Sequence, residues 1–168
     1  MKKTFLKHLG LFVIVAFVGI IINSCGDDTT ISNNPPTYDA KSVNGTVTFV
    51  ETGFLDSTSG SYLIAAYPES GWPPMGPPAA FATIPVVNGT AAFNYKLTDL
   101  ADGNYVISVG FRKNTGGQSP IMGIYGCDTL RGFTPCLQNP TLKATISNSA
   151  GVGSINFLSW ADTTNKIF

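Results

Sequence analysis

Beyond residue 41 the apolar residues recur at every second position rather than every third or fourth. Val43, Gly45, Val47 and Phe49 alternate with Asn44, Thr46 and Thr48. Ala91, Phe93, Tyr95 and Leu97 alternate with Ala92, Asn94 and Lys96. Tyr105, Ile107, Val109 and Phe111 alternate with Val106, Ser108 and Gly110, and Leu142, Ala144 and Ile146 with Lys143, Thr145 and Ser147. Successive side chains of an extended chain point to opposite faces, so this period sets one face on a core and the other toward water. Residues 61–67, 80–86, 119–125 and 153–160 add further strand candidates. Turn chemistry separates them at Asn88-Gly89, Asp102-Gly103-Asn104 and Thr115-Gly116-Gly117. No window of about 12 residues carries an amphipathic-helix pattern. Seven or eight short strands with turns between them predict an all-β fold, an antiparallel β-sandwich.

One segment sharpens that expectation. Leu100-Ala101-Asp102-Gly103-Asn104-Tyr105 has the form L-x-D-G-x-Y. It looks like a tyrosine corner, in which the Tyr hydroxyl bonds backbone a few residues upstream and pins a crossover between sheets. Together with Gly45-Thr46-Val47, it makes residues 43–112 resemble the transthyretin-like or carboxypeptidase-regulatory-like family. The resemblance implies a Greek-key sandwich of seven or eight strands, used as an accessory domain on secreted and envelope proteins. It bears on fold far more than on function. The proline-rich insert at residues 71–78 is not something that family requires.

The first 24 residues have a different pattern. Lys2, Lys3 and Lys7 precede an apolar run at residues 9–22, shorter than the roughly 20 residues a membrane-spanning helix needs. Ile22-Asn23-Ser24-Cys25 closes the run, with an aliphatic residue at −3 and a small one at −1 before the cysteine. This resembles the lipobox of bacterial lipoproteins. The resemblance implies a signal peptide at 1–24, diacylglycerol transfer to the Cys25 sulfur, cleavage before Cys25 and acylation of the new terminus. Several acyl chains anchor firmly where one binds only marginally. Asp27-Asp28 looks like the surface-export signal of Bacteroidota-type lipoproteins, or is the start of a solvated linker. Residues 26–41 are polar, carry Pro35-Pro36 and read as a flexible tether. The expected organisation is therefore a signal peptide at 1–24, a lipidated cysteine and tether at 25–41, and one β-sandwich domain at 42–168. The expected address is the cell envelope, at the outer membrane, with the facing side left open.

Composition then narrows the chemistry. His8 is the sole histidine and would leave with the signal peptide. Cleavage would leave seven basic residues against ten acidic ones, a net charge of −3. No basic run survives, which argues against nucleic acid as a partner. With Cys25 lipidated, Cys127 and Cys136 remain, and exported proteins commonly pair such a couple. Zinc needs about four ligands, and neither His nor a second Cys pair is there to supply them. The spacing is not that of a C-x-x-C redox motif. No cofactor is implied, and the expected chain is not an enzyme. His-dependent triads lack their base. Asp99 and Asp102 would make a carboxylate pair for glycoside chemistry, but they sit in a predicted turn, where Asp serves local hydrogen bonding.

Two loops carry candidate binding residues. Gly71-Trp72-Pro73-Pro74-Met75-Gly76-Pro77-Pro78 is stiffened by four prolines. Trp72, with Tyr67 just upstream, either folds back to cap the core or stands out to stack on a sugar or grip a protein. Residues 125–140 form a second loop, tied by the expected disulfide and presenting Arg131 and Phe133 at its tip. It serves either as a pre-organised partner surface or as plain stabilisation. Trp160 is expected in the core or at a sheet edge. Asn44-Gly45-Thr46 and Asn88-Gly89-Thr90 match the N-glycosylation pattern, yet fit turn roles better in a bacterial envelope protein. The expected function is a non-catalytic protein-interaction or structural module anchored at the membrane through Cys25, its partner an envelope protein. The alternative is a carbohydrate- or small-ligand-binding surface lipoprotein.

Overall fold

The structure, a computed structural model, describes residues 36–87, 90–117, 119–127 and 134–164. Eight strands follow one another: β1 Val43–Val50, β2 Gly60–Pro68, β3 Ala80–Thr83, β4 Ala92–Leu97, β5 Gly103–Lys113, β6 Ile121–Ile124, β7 Ala144–Ile146 and β8 Phe157–Trp160. Among the described residues one short helix, α1 (Thr134–Gln138), lies between β6 and β7, and 3-10 turns occupy Thr52–Phe54 and Glu69–Gly71. The strands form two sheets. One has three strands in the order β4-β1-β8. The other has five, in the order β3-β2-β5-β6, with β7 also paired to β5. The chain changes sheet between β1 and β2, β3 and β4, β4 and β5, and β7 and β8. The protein is thus an all-β sandwich, and each of the eight segments with strand pattern contributes one strand. One ladder departs from the antiparallel rule: β1 runs parallel to β8, from Val47↔Phe157 to Val50↔Trp160.

The two-residue period does the work expected of it on the inner faces. Along β4, Phe93, Tyr95 and Leu97 are buried while Ala92, Asn94 and Lys96 are exposed. The antiparallel register Val43↔Leu97 through Val47↔Phe93 sets these residues beside the inward residues of β1. From the opposite sheet come Tyr62, Ile64 and Ala66 of β2 and Tyr105, Ile107, Val109 and Phe111 of β5. Tyr62 lies at the centre, edge-on to Phe49 at 4.9 Å and to Phe111 at 4.8 Å between ring centroids. Its hydroxyl donates to the Ala161 carbonyl at 2.5 Å, so the buried polar tip is satisfied. Tyr95 does likewise toward Ile155 O at 2.7 Å, and burial pushes its hydroxyl pKa well up.

The corner between β4 and β5 has the predicted bond: Tyr105 Oη donates to Ala101 O at 2.9 Å. The loop is pinned at two more points. The Leu100 N–H bonds Lys41 O at 3.1 Å, and Asp102 Oδ1 accepts from the Ser149 N–H at 2.8 Å. Asp99 takes a left-handed φ of 61° and accepts a bond from Thr98 Oγ1 at 2.9 Å. Both aspartates are therefore engaged by the corner loop.

Contacts to the sandwich begin ahead of residue 42. The Tyr38 ring lies where Gly153 would carry a Cβ, so any larger residue at 153 would displace it. Asp39 pairs with Lys96, and the Lys41 N–H bonds Ser149 O at 2.9 Å.

Two details of the faces differ from the alternation. Leu142 precedes β7 and stays 49% exposed, so only Ala144 and Ile146 of that segment face the core. Val106 and Ser108, on the face of β5 expected to meet water, are buried. Segments lying on the outer face of the sheet cover them.

Candidate functional site

The outer face of the five-stranded sheet carries two adjoining features. The first is a small apolar cluster of Val106, Ile121, Ile124, Cys127, Cys136 and Leu137, with Trp72 and Trp160 packed against it. Cys127 and Cys136 are joined by a disulfide, their Cα atoms 6.0 Å apart. That staple holds α1 over β5 and β6 and thereby covers Val106. Trp72 completes the cover from the other side. Its indole N–H donates to Leu137 O at 2.5 Å, and its ring meets Tyr67 edge-on at 5.5 Å and 61°. The Trp72–Pro73 peptide bond is cis. Trp72 thus folds back onto the sandwich, against the outer cluster rather than the core between the sheets. The ion pair between Lys143 and Glu69 at 3.0 Å ties the segment before β7 to the same proline-rich connection. This pair, and a bond from Asn104 Nδ2, hold the Glu69 carboxyl below its ordinary pKa.

The second feature is a groove of about 470 Å³ beside that cluster. Its floor is built from the small outward residues of the two central strands: Leu63 and Ala65 from β2, Ser108 and Gly110 from β5. Phe81, on edge strand β3, forms one wall and is 60% exposed, unusual for a large apolar ring on a sheet face. Pro74, Pro77 and Pro78 overhang it, and Tyr67 lines it where the groove approaches Trp72. Burial raises the Tyr67 hydroxyl pKa, so that group stays protonated and available as a donor. Arg112 also lines the groove and, among the described residues, is the sole charged one that does.

The structure brings Tyr67 and Trp72 into contact and joins Cys127 to Cys136. Cys25, Arg131 and Phe133 lie outside the described residues, as does the Asn88-Gly89 turn. Asn44 of the first glycosylation pattern is committed structurally, its amide donating to Ser42 Oγ at 2.8 Å. Trp160 ends β8 partly buried, touching both apolar clusters. Among the described residues no group of three or more His, Cys, Asp or Glu is placed to hold a metal ion.

Sequence reasoning missed Phe81, Ser108, Gly110 and Arg112. The period-two signal assigned Ser108 and Gly110 to the outer face of β5, but did not show that the proline-rich loop overhangs that face. Comparison with protein-family models, with curated proteins and with solved structures finds no match to this chain. The class that fold and site define is an all-β sandwich with a disulfide-stapled outer cluster and a proline-walled groove.

Proposed function

We propose that this chain is a lipid-anchored cell-envelope protein whose sandwich acts as a non-catalytic binding module, with the groove on its five-stranded sheet as the face that meets the partner. The groove carries the reading: an exposed aromatic, prolines that are already restricted, and a floor of small residues offer apolar contact at low ordering cost. The stapled cluster beside it holds the wall at Tyr67 and Trp72 in place. The anchor rests on the lipobox-like Ile22-Asn23-Ser24-Cys25, and the accessory-domain reading on the transthyretin-like pattern of residues 43–112.

The test has two parts. Cys25→Ala should move the domain from the membrane to the soluble fraction. In cells, a photo-crosslinking residue at Phe81 should capture an envelope protein that the same residue at Ala92, exposed on the other sheet, does not. Equal adducts at both positions, or none at Phe81, would remove the groove as the partner face.

A second reading, capture of a small ligand, is favoured by the groove's size, which falls within the roughly 300–1,000 Å³ of ligand sites. For a sugar, Trp72 is poorly placed, because its N–H and one edge contact are already used internally.

A further inference from the structure

Within the groove, three residues of β5 stand in a row on one face. Ser108, Gly110 and Arg112 are spaced two apart, so all three point outward together. Ser108 is only 3% exposed and lines the groove, yet its hydroxyl has no hydrogen-bond partner among the described residues. Its oxygen reaches the open space of the groove, where an acceptor atom of a ligand can take its hydrogen bond. Arg112 likewise forms no ion pair or side-chain hydrogen bond among the described residues. Between them, Gly110 leaves a gap where a side chain would stand. A Cβ built there would touch only Pro120 O, at an ordinary 3.5 Å, so the backbone does not require glycine for space. The β5–β6 ladder also slips register between Val109 and Gly110, with the extra residue, Met122, on β6.

We propose that this row is an anion notch, and that the groove binds a small amphipathic carboxylate with its head over Gly110 and its aliphatic body along Leu63, Phe81 and the prolines. A carboxylate is acceptor-only, and it can accept hydrogen bonds from both the Ser108 hydroxyl and the Arg112 guanidinium. The guanidinium fork matches a carboxylate in a way that an ammonium does not. Among the described residues no carboxylate lines the groove to compete for it. The floor of β2 from Leu63 to Tyr67 runs about 13 Å, room for the apolar body. The inference rests on the groove being the binding face, and it names the chemistry of what enters.

The experiment uses the full chain in lipid nanodiscs, with octanoate as the probe, titrated calorimetrically against empty discs as blank. Octanoate should bind saturably. Octanamide, which has the same body without the charge, should bind at least about tenfold more weakly. Gly110→Ala, which fills the notch, and Arg112→Gln should each weaken octanoate by about tenfold or more, with Arg112→Lys recovering part of the loss. Near-ultraviolet circular dichroism checks that each variant keeps the native packing. The proposal is overturned if octanoate shows no saturable heat above the blank. It is overturned equally if octanamide matches octanoate, or if Gly110→Ala and Arg112→Gln stay within about twofold of the unaltered chain. Should octanoate fail while Phe81 adducts persist in cells, the anion notch falls and the binding module stands. Should octanoate bind while Phe81 captures nothing, the protein-partner reading falls and the ligand stands.

Discussion

The two apolar clusters of this protein are built in different ways. Between the sheets, Tyr62, Phe49, Phe111, Phe93 and their neighbours are covered by strands on both sides, and each inward position is set by the two-residue period. On the outer face, Val106, Ile121, Ile124 and Leu137 have a sheet on one side only. Their cover is a five-residue helix, a disulfide and one indole. A short loop buries too little apolar surface to hold itself down, so a covalent closure and a hydrogen bond from Trp72 to Leu137 take the place of a second sheet. The inner core therefore carries the fold, while the outer cluster shapes a surface.

The largest effect should come from the inner core. Phe111→Ala removes a fully buried ring packed against Tyr62 and should cost about 3–5 kcal/mol, read from the midpoint and slope of urea unfolding. A loss below that of opening the disulfide would break the distinction between the clusters. Replacing both Cys127 and Cys136 by Ala reopens a ten-residue loop and should cost about 2–3 kcal/mol in the chain-entropy account. The far-ultraviolet sheet signal should survive that change; if it collapses, the outer cluster is not separable from the fold. Trp72→Phe, which keeps the ring and removes the N–H, should cost about 1 kcal/mol. In the cysteine-free background that cost should shrink, because Trp72 and the disulfide hold the same helix. Equal costs in both backgrounds would show that Trp72 acts independently of the staple.

The smallest effect lies in the loop ahead of β2, at the rim of the inner cluster, where the Asp56 N–H donates to Tyr62 Oη at 3.4 Å. Asp56 accepts bonds from the Thr58 and Ser59 N–H groups at 2.8 and 3.0 Å, and from the side chains of both residues. The Ser59 bonds, its hydroxyl first, hold the Asp56 carboxyl well below its ordinary value. A carboxyl depressed in the folded state stabilises above its unfolded pKa of about 4, and that contribution is lost as pH falls below it. Asp56→Asn should therefore flatten the acid limb of a stability–pH profile and leave both clusters untouched at neutral pH.

Much of the inner core was legible. Alternation in Val43–Val50, Ala92–Leu97 and Gly103–Lys113 marks which residues face inward, because successive side chains of a strand point to opposite faces. The Tyr105 corner was readable from six consecutive residues because its partner, Ala101, is local. The outer cluster was not legible. Val106 and Ser108 read as water-facing because nothing in β5 announces that Cys127, the helix Thr134–Gln138 and residues 72–78 fold over that face. The short helix Thr134–Gln138 lies in a stretch too brief to show helical period. The groove was hidden likewise: Tyr67 was a visible candidate, but Arg112 and Ser108 become site residues only when loops distant in sequence roof the strand that carries them.

The parallel pairing of β1 with β8 has a mechanical consequence. β1 is the middle strand of its sheet, hydrogen-bonded to β4 on one side and β8 on the other. Tension on β1 from its N-terminal side first meets the contacts of Tyr38, Asp39 and Lys41 with Gly153, Lys96 and Ser149, and then the ladders of β1 itself. The ladders on both flanks then resist together, in shear, instead of parting one rung at a time as an edge hairpin would. The first strand is thus the grip by which the domain can be pulled without being unzipped, and a load held at the groove would be borne across two sheets rather than by one loop.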